Sequence, residues 1–466
     1  MLPRACVLLA LCAAVCVHAH KHKHQHTTEP TKVSSTPAPA ESAPVVRSVS
    51  GVFRGSWMAS RRGRRFQAYR GIRYAEPPVG ELRFQPPKLK LQYSGEVDAS
   101  QEGPACPLPV PPTYYIDEDC LTVNVYTPTT NSKTSGPCLF HRAISMSASP
   151  INKGPMVTHQ RHLAVLQAQI LKCPTDNTSV IYDCLMKKPW REIGDSLPQF
   201  WSFGPGDPVG LWGPVAEPDF GQERYLSEDP LAAIQHGRLH TVPYIISQTT
   251  DEFFWKAFPV LQNATLLKTM NEEWERIAPV SFLLPPENRS AAVARLREVY
   301  LQNKPLANDA QSEKALGRLY GDSVIGFGVH RLANLMCRHS KHPVWYYEFA
   351  YIGNNSHYQD PNGKPRGAAH HDDLLYLFTL SYMFPTIPLS SKDSHVVDEM
   401  TAMWYNFARY GDPNPRGDTP ELSALAWPAM TPRQRNYLRR GDQLTVHQNM
   451  FEDRFKVWDE LYPIDY

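Results

Sequence analysis

Residues 118–128 read EDCLTVNVYTP, and this stretch decides how the chain is interpreted. Leu121, Val123 and Val125 alternate with polar residues, and Tyr126 follows them. An alternation of period two is typical of a β-strand with one buried face. The stretch therefore predicts a half-buried strand that ends at Pro128.

The chain on either side of this strand has a mixed pattern. Apolar β-branched and aromatic runs predict further strands, and residues of helical spacing predict helices. The expected strands are FQAYRGIRYA (66–75), TVPYIISQTTDE (241–252) and VWYYEFAYIG (344–353). The expected helices are 162–171, 290–303 and the run from His395, and the last of these is expected to stop at Gly411 and Pro413. Strands interspersed with helices along the whole chain indicate an α/β protein.

Composition narrows the function classes. The 466 residues contain 48 Lys and Arg against 46 Asp and Glu, a formal charge of +2. Nucleic-acid binders usually have a basic surplus, so this class is disfavoured. Hydrophobic residues make up 42% and charged residues 20%, which is typical of a globular protein with a core.

The amino-terminal residues predict a secreted protein. Residues 1–19 have the order of a signal peptide, with Arg4, an apolar run and a small-residue cleavage site. Residues 20–44 are rich in His, Pro and Ser and predict a disordered linker, so the globular domain is expected over 45–466. Alternating histidines in this linker could bind a metal, but a polar spacer is favoured because no second ligand group is apparent. No other stretch is apolar enough to span a membrane.

Six cysteines remain after signal cleavage, and an even number in an oxidising compartment favours disulfides. Cys106 with Cys120, and Cys173 with Cys184, would each close a short loop; Cys138 and Cys337 are compatible with a pairing or with free thiols. Four N-x-[ST] sequons predict glycosylation at Asn177, Asn263, Asn288 and Asn354.

The strand at 118–128 also resembles a signature of the type-B carboxylesterase/cholinesterase family of α/β-hydrolases. Seven further blocks resemble the family in the same order: GIRYAEPPVGELRFQPP (71–87), LFHRAIS (139–145), VPYIISQTTDEF (242–253), GAAHHDDLLYLF (367–378), FARYGDPNP (407–415), AWPAMT (426–431) and FKVWDELYP (455–463). The resemblance implies an α/β-hydrolase fold, with a central, mostly parallel sheet flanked by helices. It also implies the disulfides Cys106–Cys120 and Cys173–Cys184.

The family resemblance implies the chemistry of carboxylic-ester hydrolysis by a Ser–Glu–His triad, with no metal or organic cofactor. Glu252 matches the acid and His370 the base of this triad. Taken without the resemblance, both would be interpreted as ordinary polar loop residues. One departure is Phe253, because the family usually has glycine after the acid, and a bulky residue there could alter the loop.

The nucleophile that this chemistry requires is missing from the sequence. The family's serine lies in a GxSxG elbow and its oxyanion loop is rich in glycine, but the chain contains neither GxSxG nor any Gly-Gly pair. Only ten residues separate Pro128 from Leu139, where relatives are expected to have on the order of a hundred. The domain is therefore expected to be internally truncated between about residues 128 and 139.

Other serines are poor substitutes for the nucleophile. Ser196 lies in a GDSL string that is in the wrong place for the hydrolases that use it. Ser323 follows Asp322, which is expected to be structural. Ser147 matches a serine that the family has downstream of the nucleophile.

Loss of central strands would expose unpaired sheet edges and apolar faces. The chain as written is therefore predicted to be inactive on esters and to fold poorly. The favoured hypothesis is a secreted esterase gene whose elbow-coding segment is absent from this sequence, which would act on a small-molecule ester if the block were restored. The alternative is a non-catalytic, cholinesterase-like adhesion or matrix protein with an extracellular protein partner. Two RGD tripeptides, at Arg416 and Arg440, are interpreted as solvated turns.

Overall fold

The computed structural model describes residues 42–109, 114–128, 140–360, 362–380, 384–416, 419–422 and 425–466. The proposed signal peptide, nearly all of the linker with its histidines, the expected junction before residue 139 and Cys138 lie outside the described residues. The described chain forms two compact units. One comprises residues 42–128 and His162–Phe200, and the other comprises 140–161 and Trp201–Tyr466.

The described residues of the smaller unit form two three-stranded sheets and three α-helices. The strands are β1 (Val45–Ser48), β2 (Gly51–Arg54), β3 (Ser56–Ala59), β4 (Arg65–Arg73), β5 (Glu96–Asp98) and β6 (Thr122–Thr127), and the helices are α1 (Arg161–Ile170), α2 (Thr178–Met186) and α3 (Trp190–Asp195). The sheet orders are β1-β2-β5 and β3-β4-β6. Phe53, Tyr69 and Ala99 form one small core of this unit, and α1 and α2 pack around a second.

The expected strand at 118–128 is present as β6, but its predicted burial is wrong. Val123 and Val125 are 44% and 46% exposed, and Tyr126 is 50% exposed. Within the described part of the chain β6 pairs only with β4, so its other edge has no strand beside it. An edge strand with outward-facing apolar residues is what the predicted loss of a neighbouring segment would leave.

The larger unit is built on a five-stranded sheet. Its strands are β7 (Ala143–Met146), β8 (Tyr244–Thr249), β9 (Val344–Phe349), β10 (Asn436–Arg440) and β11 (Leu444–Gln448), in the order β11-β10-β9-β8-β7. The pairings from β7 to β10 are parallel, and β11 returns antiparallel to β10. β7 is the other edge, since it pairs only with β8 among the described strands.

Nine helices of the larger unit lie in the described residues. They are α4 (Pro230–Gln235), α5 (Ala257–Gln262), α6 (Ala264–Glu272), α7 (Trp274–Ser281), α8 (Arg289–Leu301), α9 (Ala310–Gly321), α10 (Phe327–His339), α11 (Ser394–Tyr410) and α12 (Glu452–Leu461). A π-helical turn, Asp322–Gly326, joins α9 to α10. Helix α11 ends at Gly411, whose φ of 75° is the left-handed conformation that glycine adopts without strain.

Helices cover both faces of the sheet. Ile245 and Tyr347 point into a core that includes Met400 and Phe407 of α11. The alternate residues Ile246 and Tyr346 enter a second core with residues of α10. Burial on both faces explains the mostly apolar sequence of β9 and of the first half of β8. A third core, centred on α5 to α9 and α12, contains Trp274 and Trp458. The predicted α/β architecture is confirmed.

Candidate active site

The first element of the site is the turn that follows β8. Glu252 lies in this turn, 4% exposed. Its Oε1 accepts the backbone N–H of Thr249 at 2.8 Å and the hydroxyl of Ser147 at 2.5 Å. Behind the turn, α9 ends at Gly321, and a Cβ at this position would lie 2.3 Å from the carbonyl oxygen of Glu252. Only glycine permits this close approach of helix to turn.

The second element is the loop that contains His370. Ala369 forms a parallel bridge with Asp251, and the Ala368 N–H donates to the Asp251 carboxylate at 3.1 Å. This pairing brings His370, 5% exposed, to Glu252. Nδ1 of His370 donates to Glu252 Oε2 at 2.6 Å. A carboxylate that accepts from Nδ1 fixes the tautomer in which Nε2 is the basic nitrogen.

The pKa of Glu252 depends on its burial and on its contact with His370. Burial alone would raise the pKa of Glu252. The charge of His370 and the hydrogen bonds that Glu252 accepts from His370, Ser147 and Thr249 lower this pKa below its ordinary value. Glu252 is thus favoured as an anion beside His370. This is the arrangement in which a carboxylate orients a general base.

The pKa values of two neighbours of His370 are shifted towards their neutral forms. Burial, and then the negative charge of Glu252, raise the pKa of Asp373 to about 7. Burial, and then the charge of His370, lower the pKa of His371 to about 4, so that His371 is neutral at physiological pH. Burial thus disfavours charge on both of these neighbours of His370.

Asp372 organises the loop from beneath. Its Oδ2 accepts from the Ser356 hydroxyl at 2.6 Å and from the Ala369 N–H at 2.8 Å, and its Oδ1 accepts from the His357 N–H at 2.7 Å. Asp372 and Asp373 are 2% and 1% exposed. The loop at 370–373 is therefore mostly buried, in contrast to the surface that its polar sequence alone would indicate.

Ser147 contributes to the site in a way that sequence reasoning missed. It is 6% exposed, lies directly after β7, and donates to Glu252 on the oxygen that His370 does not use. A nucleophile would have to contact His370 Nε2, for which the described residues provide no hydrogen-bond partner. Ser147 therefore positions the acid. Only the order of the family blocks could have indicated this, because the contact spans 105 residues.

Among the described residues, the other two candidate serines have hydrogen-bond partners other than Glu252 and His370. Ser323 is buried and donates to the Phe282 carbonyl. Asp322 accepts from Tyr300 at 2.7 Å and from Arg454 at 2.8 Å, as its structural interpretation expects. Ser196 lies in the smaller unit and is bonded to Ile193 and Gln167.

Other predicted sites are placed as follows. The disulfides Cys106–Cys120 and Cys173–Cys184 are formed, and Cys337 is a free cysteine. The side chains of all four sequon asparagines lie at exposed positions: Asn177, Asn263, Asn288 and Asn354.

The interpretation of the RGD tripeptides as solvated turns is wrong at Arg440. This residue is fully buried and lies 3.1 Å from Glu399. Arg416 pairs with Asp412 at 3.2 Å, while the two residues that follow it lie outside the described part of the chain. In the part of the chain that the structure describes, no helix is long and apolar enough to cross a membrane.

Comparison with known proteins identifies the family of the chain. The model of the carboxylesterase family matches residues 42–139 and 130–458. The chain belongs to the carboxylesterase family. Venom carboxylesterase-6 of Apis mellifera is 22% identical over a 513-residue alignment that covers 84% of this chain and 89% of the relative. Juvenile hormone esterase of Tribolium castaneum is 23% identical over 504 residues, with 80% and 84% covered.

A solved structure shows the fold of this carboxylesterase-family chain. The crystal structure of juvenile hormone esterase from Manduca sexta, with OTFP covalently attached, superposes with a TM-score of 0.68 at 19% identity. It covers 91% of this chain and 100% of that chain. The fold is that of the α/β-hydrolases, as the sequence predicted.

Proposed function

We propose that this chain retains the acid and base of an esterase triad, Glu252 and His370, without the nucleophile, and does not hydrolyse esters in this form. The observation that carries the proposal is the buried hydrogen-bonded series Ser147–Glu252–His370, which leaves Nε2 of the histidine unbonded among the described residues. A GxSxG sequence is absent from the whole chain.

The missing nucleophile is attributed to an absent internal block. The two matches to the family model meet at residues 130–139, where the sequence predicts the junction. The alignment with the Apis mellifera relative is longer than the whole chain although it covers only 84% of it, so that relative has long segments without a counterpart here. The exposed edge of β6 and the single pairing of β7 support the same interpretation.

In a form that carries the block, each retained residue has a defined task. His370 Nε2 would take the proton of the serine as its oxygen attacks the ester carbonyl, and would then give that proton to the leaving alcohol. A water molecule, deprotonated by the same nitrogen, would then attack the acyl-enzyme and release the carboxylic acid product, and the proton would return to the serine. Glu252 would stabilise the imidazolium at both steps. The substrate class is a small-molecule carboxylic ester.

The extracellular location rests on independent features. The signal-peptide pattern of residues 1–19, two disulfides and four exposed sequons are all typical of secreted proteins. A relative named as a venom carboxylesterase is consistent with them. The intact Glu252–His370 pair favours an esterase gene over the adhesion alternative, because a binding protein has no need of a positioned general base.

Sequencing of the transcript across the codons for Asn124 to His141 tests the origin of the gap. A longer product that encodes a glycine-rich loop and a GxSxG is expected alongside or instead of the short one. If only the short product exists in every tissue, the esterase hypothesis for the gene is wrong and a non-catalytic role takes its place.

A further inference from the structure

Phe253 has a backbone conformation that is unusual for its size. Directly after Glu252, its φ is 47° and its ψ is 15°, in the left-handed region. A bulky side chain in this region is a genuine outlier, and such residues cluster at functional sites where the surroundings enforce them. The family resemblance implies glycine here, which would adopt the same conformation without strain.

The ring of Phe253 is directed inward onto the base. The residue is 2% exposed, and its ring centroid lies 4.7 Å from that of His370 at an interplanar angle of 37°. It also stacks on Trp255 at 4.9 Å. Phe253 is therefore buried against the imidazole ring of His370 and does not project from the loop.

The contact supplies something that the hydrogen bond to Glu252 does not. One hydrogen bond at Nδ1 fixes the direction of an imidazole but not the tilt of its plane, which packing must restrain. Besides Phe253, the aromatic rings beside His370 are those of His371, whose centroid lies 3.9 Å away, and Trp255, whose centroid lies 6.5 Å away. Phe253 and His371 are therefore the two rings in direct contact with the imidazole.

We infer that Phe253 is a positioning residue for His370, whose aromatic face restrains the plane of the imidazole ring. This inference rests on the proposed acid–base pair. The turn keeps the strained conformation because Gly321 contacts it from behind, while Trp255 and His370 hold the ring in front.

The test measures the reactivity of His370 in the purified full chain. Diethyl pyrocarbonate modifies a neutral, accessible imidazole nitrogen, and mass spectrometry of peptides follows each histidine separately. Phe253→Leu fills the site without an aromatic face, whereas Phe253→Tyr keeps the face. Phe254→Leu is the matched control, since the rings that Phe254 contacts are Trp255, Phe258 and Tyr358.

Modification of His370 should accelerate about two- to tenfold in Phe253→Leu, the range that the loss of an aromatic ring contact corresponds to, because a less restrained imidazole exposes its nitrogen more often. It should stay within twofold of the parent in Phe253→Tyr and in Phe254→Leu. Equal rates in Phe253→Leu and the parent, or equal acceleration in the Leu and Tyr variants, would overturn the inference.

Glu252→Gln separates this inference from the proposed pair. If Glu252→Gln changes the His370 rate but Phe253→Leu does not, the pair stands and the role of Phe253 is wrong. If His370 in the parent reacts as fast as exposed histidines such as His236, and Glu252→Gln has no effect, the pair itself is wrong and the inference falls with it.

Discussion

Asp373 is a buried carboxyl group that the fold must accommodate beside an anion. It is 1% exposed, and its Oδ2 has no hydrogen-bond partner among the described residues. Burial, and then the negative charge of Glu252, raise its pKa from 3.8 to about 7. An ionised Asp373 therefore opposes folding, and Asp373→Asn should relieve this effect while keeping the shape of the side chain.

The sign and size follow from the two pKa values. Between pH 4 and pH 7 the folded protein keeps a proton that the unfolded chain has lost, so the stability of the parent falls as pH rises through this range. A difference of about three pH units at 1.36 kcal/mol each corresponds to about 4 kcal/mol. Relative to the parent, Asp373→Asn should gain about 2–4 kcal/mol of unfolding free energy between pH 4.5 and pH 8.

Urea unfolding followed by tryptophan fluorescence at both pH values measures this gain. Asp453→Asn is the control, because Asp453 is exposed at the start of α12 and its replacement should shift the two curves equally. Parallel pH dependence in the parent and in Asp373→Asn would refute the reasoning. A parent without a cooperative transition would instead support the prediction of poor folding.

Three further outcomes are expected. Gly321→Ala should lower the unfolding free energy by about 1–3 kcal/mol, because the added Cβ would overlap the Glu252 carbonyl. Gly154→Ala is the control and should be tolerated, because its Cβ would lie 3.8 Å from the nearest neighbouring atom. Equal effects of the two variants in urea unfolding would contradict this. Burial, and then the charge of Arg331, lower the pKa of Lys153 to about 7, so parent stability should rise from pH 7 to pH 10. Lys153→Met should remove that slope and stabilise the protein by about 1–3 kcal/mol at pH 7; a retained slope would show that another group causes it. Peptide-N-glycosidase should lower the mass of the secreted protein, and an unchanged mass would rule out glycans at the four sequons.

Elements with a clear local pattern were predictable from the sequence. The strands β8 and β9 begin with apolar residues and are buried on both faces, and α11 stops at Gly411 as expected. Helices α5 and α7 have a weak local signal, because Pro259 and Pro279 lie inside them and proline usually ends a helix. Tertiary packing overrides the local preference there.

The site was predictable to a smaller extent. Glu252 and His370 could be proposed because the family blocks locate them, and the structure brings them to 2.6 Å. The positioning contact of Ser147, the inward ring of Phe253 and the burial of Asp373 depend on packing between segments more than a hundred residues apart. Such contacts leave no local pattern. The exposure of Val123 and Val125 was missed because an alternating strand does not reveal whether its neighbour is present.

The central claim is that an acid and a base are present here without a nucleophile. The most direct measurement incubates the purified chain with p-nitrophenyl esters and with a fluorophosphonate that labels active serines, next to a longer form that carries a GxSxG if one is found. We expect neither serine-dependent turnover nor labelling for the chain as written, and both for the longer form. Robust turnover by the short chain, abolished by fluorophosphonate bound to one of its own serines, would contradict it.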